Sequence, residues 1–122
     1  MNECPEQRLL RAAGELVAQS WSRGADARDA AGAAVDPWDE RAVSWSLLGA
    51  LVSVVERGAE ERGEMPLDQL AKALYALSEL VDDDSLTRWN DAAARTQEAV
   101  VSVLEAAAAA CVVPRQLTIE AF

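Results

Sequence analysis

At 122 residues and 13.1 kDa the chain is the size of a single domain, and its 51% hydrophobic content supplies a core and argues against global disorder. Acidic residues outnumber basic ones by 21 to 11, a formal net charge of -10, so the surface repels phosphate backbones and anionic bilayers and neither nucleic acid nor membrane is expected as a partner. There is no histidine, which removes imidazole bases, histidine-ligated metals and Ser-His-Asp or Cys-His nucleophile systems.

From Pro5 to Trp21, Leu9, Leu10, Ala13, Leu16, Val17 and Trp21 recur at helical spacing, with Pro5 suited to a first turn and Glu6 to the positive end of the helix dipole. Gly24 stops this pattern, and residues 22–35 read as a long loop without period. Within it, Ala27-Arg28-Asp29 and Ala33-Ala34-Val35 flank Ala30-Ala31-Gly32, a spacing compatible with a minor hairpin.

Asp36-Pro37-Trp38-Asp39 reads as a helix start, Asp36 capping and Pro37 in the first helical position, with Trp38 stapling that end. The helix expected from about Trp38 to Arg57 carries two apolar stripes: Val43, Leu47, Ala50, Leu51 and Val54, and Trp45, Leu48, Val52 and Val55. That makes it the central helix, with Gly49 allowing a neighbouring helix to come close. Residues 56–64 read as a charged break containing Gly58 and Gly63.

Leu67, Leu70, Ala71, Leu74, Leu77, Ser78 and Val81 define the face of a third helix, ended by Asp82-Asp83-Asp84. The three aspartates lack the ligand alternation, Gly and Glu of a calcium loop and read as a solvated turn. Ser85 to Asp91 is a short helix or turn. Thr96 then caps a last helix with Val100, Val101, Leu104, Ala108 and Cys111 on one face.

The fold expected is all-α: an irregular bundle of four main helices, residues 1–113, with one long loop between helices 1 and 2. Residues 114–122 are a tail whose Leu117, Ile119 and Ala121 alternate with polar residues. Alanine at 25 positions against ten Gly plus Pro agrees with a helical class. Cys4 and Cys111 read as reduced thiols, and two cysteines are too few for a structural zinc. Neither a signal core nor a run of roughly 18 apolar residues is present, so the expected location is the cytoplasm, with no cofactor and no metal.

Two features carry chemistry. Trp21, Trp38, Trp45 and Trp89 read either as core and rim or as walls of an aromatic pocket, with Trp45 and Trp21 favouring the core. Arg88-Trp89-Asn90-Asp91, followed by Arg95 and Thr96, places an Asn-Asp pair beside an indole. That pair is good turn chemistry, and it is also a candidate orienting amide and carboxylate base. Asp26, Arg28, Asp29 and Asp36 cluster on the loop, where Arg28 and an aspartate would make an ion pair. Ser44 and Ser46 have only Lys72 as a conceivable base, on another predicted helix.

Ala27-Arg28-Asp29 to Gly32, Val35-Asp36-Pro37, Arg41-Ala42-Val43, Trp45 and Leu48-Gly49-Ala50-Leu51 form one block, and Leu86, Trp89-Asn90-Asp91, Arg95-Thr96 and Val100 form a second. Together they resemble a small-protein family of unknown function found in actinobacteria and their phages, over about Leu9 to Leu104. The resemblance implies a mostly helical cytosolic protein and brings no activity with it. The family has Cys after the central tryptophan and Pro-Gly after Asn-Asp, whereas this chain has Ser46 and Ala93-Ala94.

Two functions compete. One is an aromatic-lined small-molecule site of a tailoring or cyclising kind, with Asp91 and Asn90 catalytic and Trp45, Trp89, Trp21, Ser46, Arg28 and Asp36 binding substrate. The other is an acidic, non-enzymatic regulator that binds a basic protein partner. Whether the chain is an enzyme is left open, and a homodimer through Ala- and Gly-rich helix faces is compatible with either.

Overall fold

The computed structural model describes residues 5–63, 67–83 and 85–110; Cys4, Cys111 and the tail 114–122 lie outside them. The elements are α1 (Pro5–Gln19), β1 (Ala27–Arg28), β2 (Ser44–Trp45), α2 (Leu47–Arg62), α3 (Leu67–Val81), α4 (Leu86–Asp91) and α5 (Gln97–Ala110). The protein is therefore mostly helical, and the described residues form four long helices, a short fifth and one small two-stranded sheet. Among the described residues no helix is long and apolar enough to cross a membrane.

The core is built where each helix turns an apolar stripe inward. Leu9, Leu10, Ala13 and Val17 of α1 meet Leu47, Ala50, Leu51 and Val55 of α2, Ala73 and Leu77 of α3, Leu86 of α4, and Val100, Leu104, Ala107 and Ala108 of α5. The shared helix is α1, which packs on α5, α2 and α3; the expected centrality of α2 does not hold. The reason is local. Trp45, counted in the second stripe of that helix, lies on a strand, and Leu48 and Val52 are only half-buried.

α1 and α5 run antiparallel and are stapled at both ends by glutamines. Gln7 Nε2 donates to the Ala108 carbonyl at 2.7 Å, and Gln97 Nε2 to the Val17 carbonyl at 2.7 Å. Both acceptors lie near helix C-termini, where carbonyls lack helical partners.

The expected helix start at Asp36 is corrected: Asp36 to Ala42 makes two successive turns, closed by Asp39 N–H to Asp36 C=O and Ala42 N–H to Asp39 C=O, both 3.0 Å. Ser44 and Trp45 then pair with Arg28 and Ala27 in an antiparallel ladder, and α2 starts only after Ser46. A strand partner supplied by the loop outweighs the local helix signal, as tertiary context commonly overrides propensity. The far end of α2 is also longer than expected. The charged residues 56–62 continue it, because Glu and Arg are good helix formers and one interior glycine, Gly58, costs only about 1 kcal/mol. It stops at Gly63, whose φ of 78° makes the left-handed cap with its N–H on the Ala59 carbonyl.

The minor hairpin is present in the hydrogen bonds. Val35 N–H reaches the Ala27 carbonyl at 3.0 Å and Asp29 N–H the Ala33 carbonyl at 2.9 Å. The Asp29 carboxylate accepts from the N–H groups of Ala31 and Ala33, holding the turn. Residues 27–28 thus pair on both edges, with Ala33 to Val35 on one side and Ser44-Trp45 on the other. Thr96 caps α5, its Oγ1 accepting from Ala99 N–H at 3.2 Å, and Ser85 caps α4 by accepting from Arg88 N–H.

Candidate functional site

The first four backbone N–H groups of a helix have no partner inside it. At the start of α2 three separate segments deal with this. Ser46 is the N-cap, its Oγ accepting from Gly49 N–H at 3.0 Å, and its own N–H donates to the Asp26 carbonyl at 3.0 Å. The first helical N–H, of Leu47, donates to Asn90 Oδ1 at 3.0 Å, across 43 residues of sequence. Ser46, expected on a substrate, is therefore a buried cap.

Asn90 sits at 0% exposure on α4 and uses its whole hydrogen-bonding capacity. Oδ1 also accepts from Trp21 Nε1 at 2.8 Å; Nδ2 donates to the Ser22 carbonyl at 3.2 Å and to Asp91 Oδ1 at 2.9 Å. With two donors facing the oxygen and two acceptors facing the nitrogen, the network fixes the amide orientation. Asp91 Oδ1 accepts a further bond, from Gly24 N–H at 3.0 Å. Gly24 holds φ of 83°, a left-handed conformation that costs glycine nothing. Among the described residues the second carboxylate oxygen of Asp91 makes no bond, and the side chain is half-buried.

The same centre gathers the tryptophans. Trp45 is 4% exposed, and its Nε1 donates to the Pro37 carbonyl at 3.2 Å. Trp21 bridges to Trp45, with Ser22 N–H on the Trp45 carbonyl and Trp45 N–H on that of Ser20. Beside them the hydroxyls of Ser22 and Ser44 share a buried bond of 2.7 Å.

Arginines of the chain cover the ring faces: Arg23 over Trp21 at 4.9 Å, Arg57 over Trp45 at 5.8 Å and Arg95 over Trp89 at 3.8 Å. Arg95 also donates to the Trp89 carbonyl at 2.8 Å, and Arg23 to the carbonyls of Ala93 and Arg95. The segments 20–24 and 92–95 are thereby stitched together.

Of the expected site residues, the fold brings Trp21, Trp45, Ser46, Asn90 and Asp91 into one knot, with Trp89 on its flank. Arg28 and Asp36 are outside it. Among the described residues Arg28 bonds no aspartate; it donates to the carbonyls of Gly32 and Arg23 at 2.9 and 3.0 Å, bracing the hairpin. Asp36 is exposed at the opening of the first turn. An open depression does occur on the protein, between the end of α3 and α4, lined by Ser78, Glu79, Asp82, Asp83 and Arg88. No expected site residue lines it.

Sequence reasoning missed the roles of Ser22, Gly24, Arg23 and Arg95. The arginines were visible as cations shortly after Trp21 and Trp89, but their choice of acceptor was not. Gly49 was read as a close approach, and its partner is a loop: a Cβ there would lie 1.9 Å from the Asp26 carbonyl oxygen.

One charge pair at the surface is well formed. Arg41 meets Asp39 through Nε and Nη2 at 3.1 and 2.8 Å. The side-chain hydrogen bonds from Arg41, followed by its backbone N–H, lower the Asp39 carboxyl to about 2. Arg41 is raised in turn, first by Asp39 and further by the charges of Asp29 and Glu40. Among the described residues no group of three or more His, Cys, Asp or Glu could hold a metal ion.

A family model described as a family of unknown function (DUF6197) matches residues 1–110. No curated protein and no solved structure matches the chain.

Proposed function

We propose that this chain, which belongs to the DUF6197 family, is a non-enzymatic acidic protein that binds a basic protein partner. The observation that carries the reading is where the arginines go. Arg23, Arg28 and Arg95 bond main-chain carbonyls, and Arg23, Arg57 and Arg95 lie on indole rings. Cations spent on carbonyls and rings leave exposed carboxylates at Asp26, Asp36, Glu40, Glu60, Glu61 and Glu79 on a chain of net charge -10. Such a surface steers a positively charged partner from a distance and selects against acidic ones.

The knot around Asn90 supports the same reading from the other side. A catalytic or orienting amide needs a free donor or acceptor for its substrate, and every one on Asn90 bonds the protein. A small-molecule site is the second reading, and it rests on the unbonded oxygen of Asp91.

Capture from native lysate at low salt, followed by titration of each recovered protein in purified form, tests the two together. The expected result is a basic protein whose affinity falls steeply as salt rises. Recovery of no basic partner, together with a metabolite that raises the melting temperature of the native chain but not of Asp91→Asn, overturns the reading.

A further inference from the structure

We infer that Trp38 is the anchor on which the basic partner lays an arginine side chain. This rests on the proposal of a basic partner and names the place and the chemistry of contact. Trp38 occupies the third position of the turn from Asp36 to Asp39 and is 45% exposed. A large ring left so open is normally a poor choice for a surface.

The turn beneath it is rigidly held. Pro37 is buried, and its carbonyl accepts the Nε1 proton of the core residue Trp45 at 3.2 Å. A second turn follows directly, so the ring is presented on a braced platform whose ordering cost is met in folding.

The other three tryptophans show what this chain does with an indole face. Each carries a guanidinium between 3.8 and 5.8 Å from the ring centroid. Among the described residues, Trp38 carries none. Its nearest sequence cation, Arg41, is committed to Asp39.

The electrostatics around the turn are negative. Asp36 and Glu40 are exposed on either side of the ring in sequence, and Asp29 and Glu40 lie close enough to act on Arg41. Between Asp36 and Ala42 the charge is three carboxylates against one guanidinium, which the field of Asp29 reinforces. An arginine suits this setting better than a lysine, because its planar guanidinium stacks on the indole while its N–H groups reach a carboxylate.

The test is a titration of the isotope-labelled 122-residue chain at low salt with an acetylated, amidated arginine-rich nonapeptide, followed by NMR. The lysine and the uncharged citrulline counterparts serve as comparisons. Binding is expected to move the Trp38 indole N–H signal and the amides of Asp36 and of Trp38 to Arg41, with the Trp45 indole, bonded to the Pro37 carbonyl, free to follow the turn, while the indole signals of Trp21 and Trp89 stay put. Trp38→Ala should weaken the arginine peptide about three- to ten-fold, as expected for loss of a cation–π contact. The lysine peptide should bind less tightly and the citrulline peptide not at all. Unmoved Trp21 and Trp89 indole signals in the unliganded variant establish that it folds. Peptide binding that leaves the turn unmoved, or that Trp38→Ala does not weaken, overturns the inference and leaves the basic-partner reading standing. No binding of the arginine peptide overturns both.

Discussion

Asn90-Asp91 and the Asp36–Asp39 turn look alike as strings of letters: short polar side chains around a tryptophan, after a capping residue or a proline. In the fold they are opposites. Around Asn90 every polar atom of the amide is turned inward and joins four segments, α4, the Trp21-Ser22 strand edge, the start of α2 and, through Asp91, the loop at Gly24. Around Trp38 the turns close through main-chain groups and through the Asp39 carboxylate, which is held by Arg41, while the ring and the carboxylates of Asp36 and Glu40 face water. A motif acts as a clamp or as a contact surface according to which of its groups the rest of the chain uses.

That contrast can be broken most severely at Asn90. Asn90→Ala leaves Leu47 N–H, Trp21 Nε1 and the Ser22 carbonyl unpaired in the interior. The loss should be roughly 3–5 kcal/mol in denaturant unfolding, since each buried polar group left unsatisfied costs about 1–3 kcal/mol. Asn90→Ala unfolding at the wild-type denaturant midpoint would show that water replaces the amide.

Gly49→Ala comes next. Its methyl group would collide with main-chain atoms of Asp26, 1.9 Å from the oxygen, and backbone yields less readily than a side chain. We expect about 3 kcal/mol of destabilisation, at the upper end of overpacking effects, with shifted amides in residues 23–28. Removing the N-cap hydroxyl, Ser46→Ala, should cost about 1 kcal/mol, as caps do.

The outward region should answer weakly. Trp38→Ala is expected to change stability by less than about 0.5 kcal/mol, as exposed substitutions do. A larger loss in calorimetry would make Trp38 part of the core.

The smallest effect belongs to Asp39. Its carboxyl is lowered from 3.8 to about 2 in the folded chain, so the protonated form is favoured by unfolding. The contribution of the Arg41 pair is therefore present above pH 3.8 and disappears as pH falls toward 2. A carboxyl NMR titration should place the midpoint near 2, moving up toward 3.8 in Arg41→Ala.

Much of this architecture could be read along the chain. The apolar spacing from Leu9 to Val17 and from Leu70 to Val81, the cap at Thr96, and the turn chemistry of Asp29 all involve residues three or four apart, so they act locally. The end of α3 was equally legible: Asp82, at φ 56°, takes the left-handed position that aspartate tolerates and helices avoid. The site was legible only as a set of names. Trp21, Ser46, Asn90 and Asp91 were singled out by residue type, and that type could not say whether an amide would face a ligand or a helix end.

What the sequence determined by itself is the helical class and the acidity, because periodicity and charge are sums over neighbours and composition. The tertiary structure decided the start of α2, where Ser44-Trp45 found a strand partner at Ala27-Arg28, and the role of Asn90, whose four partners lie up to 69 residues away. A hydrogen bond is a short-range, directional interaction, and which groups come within about 3 Å is set by packing the whole chain.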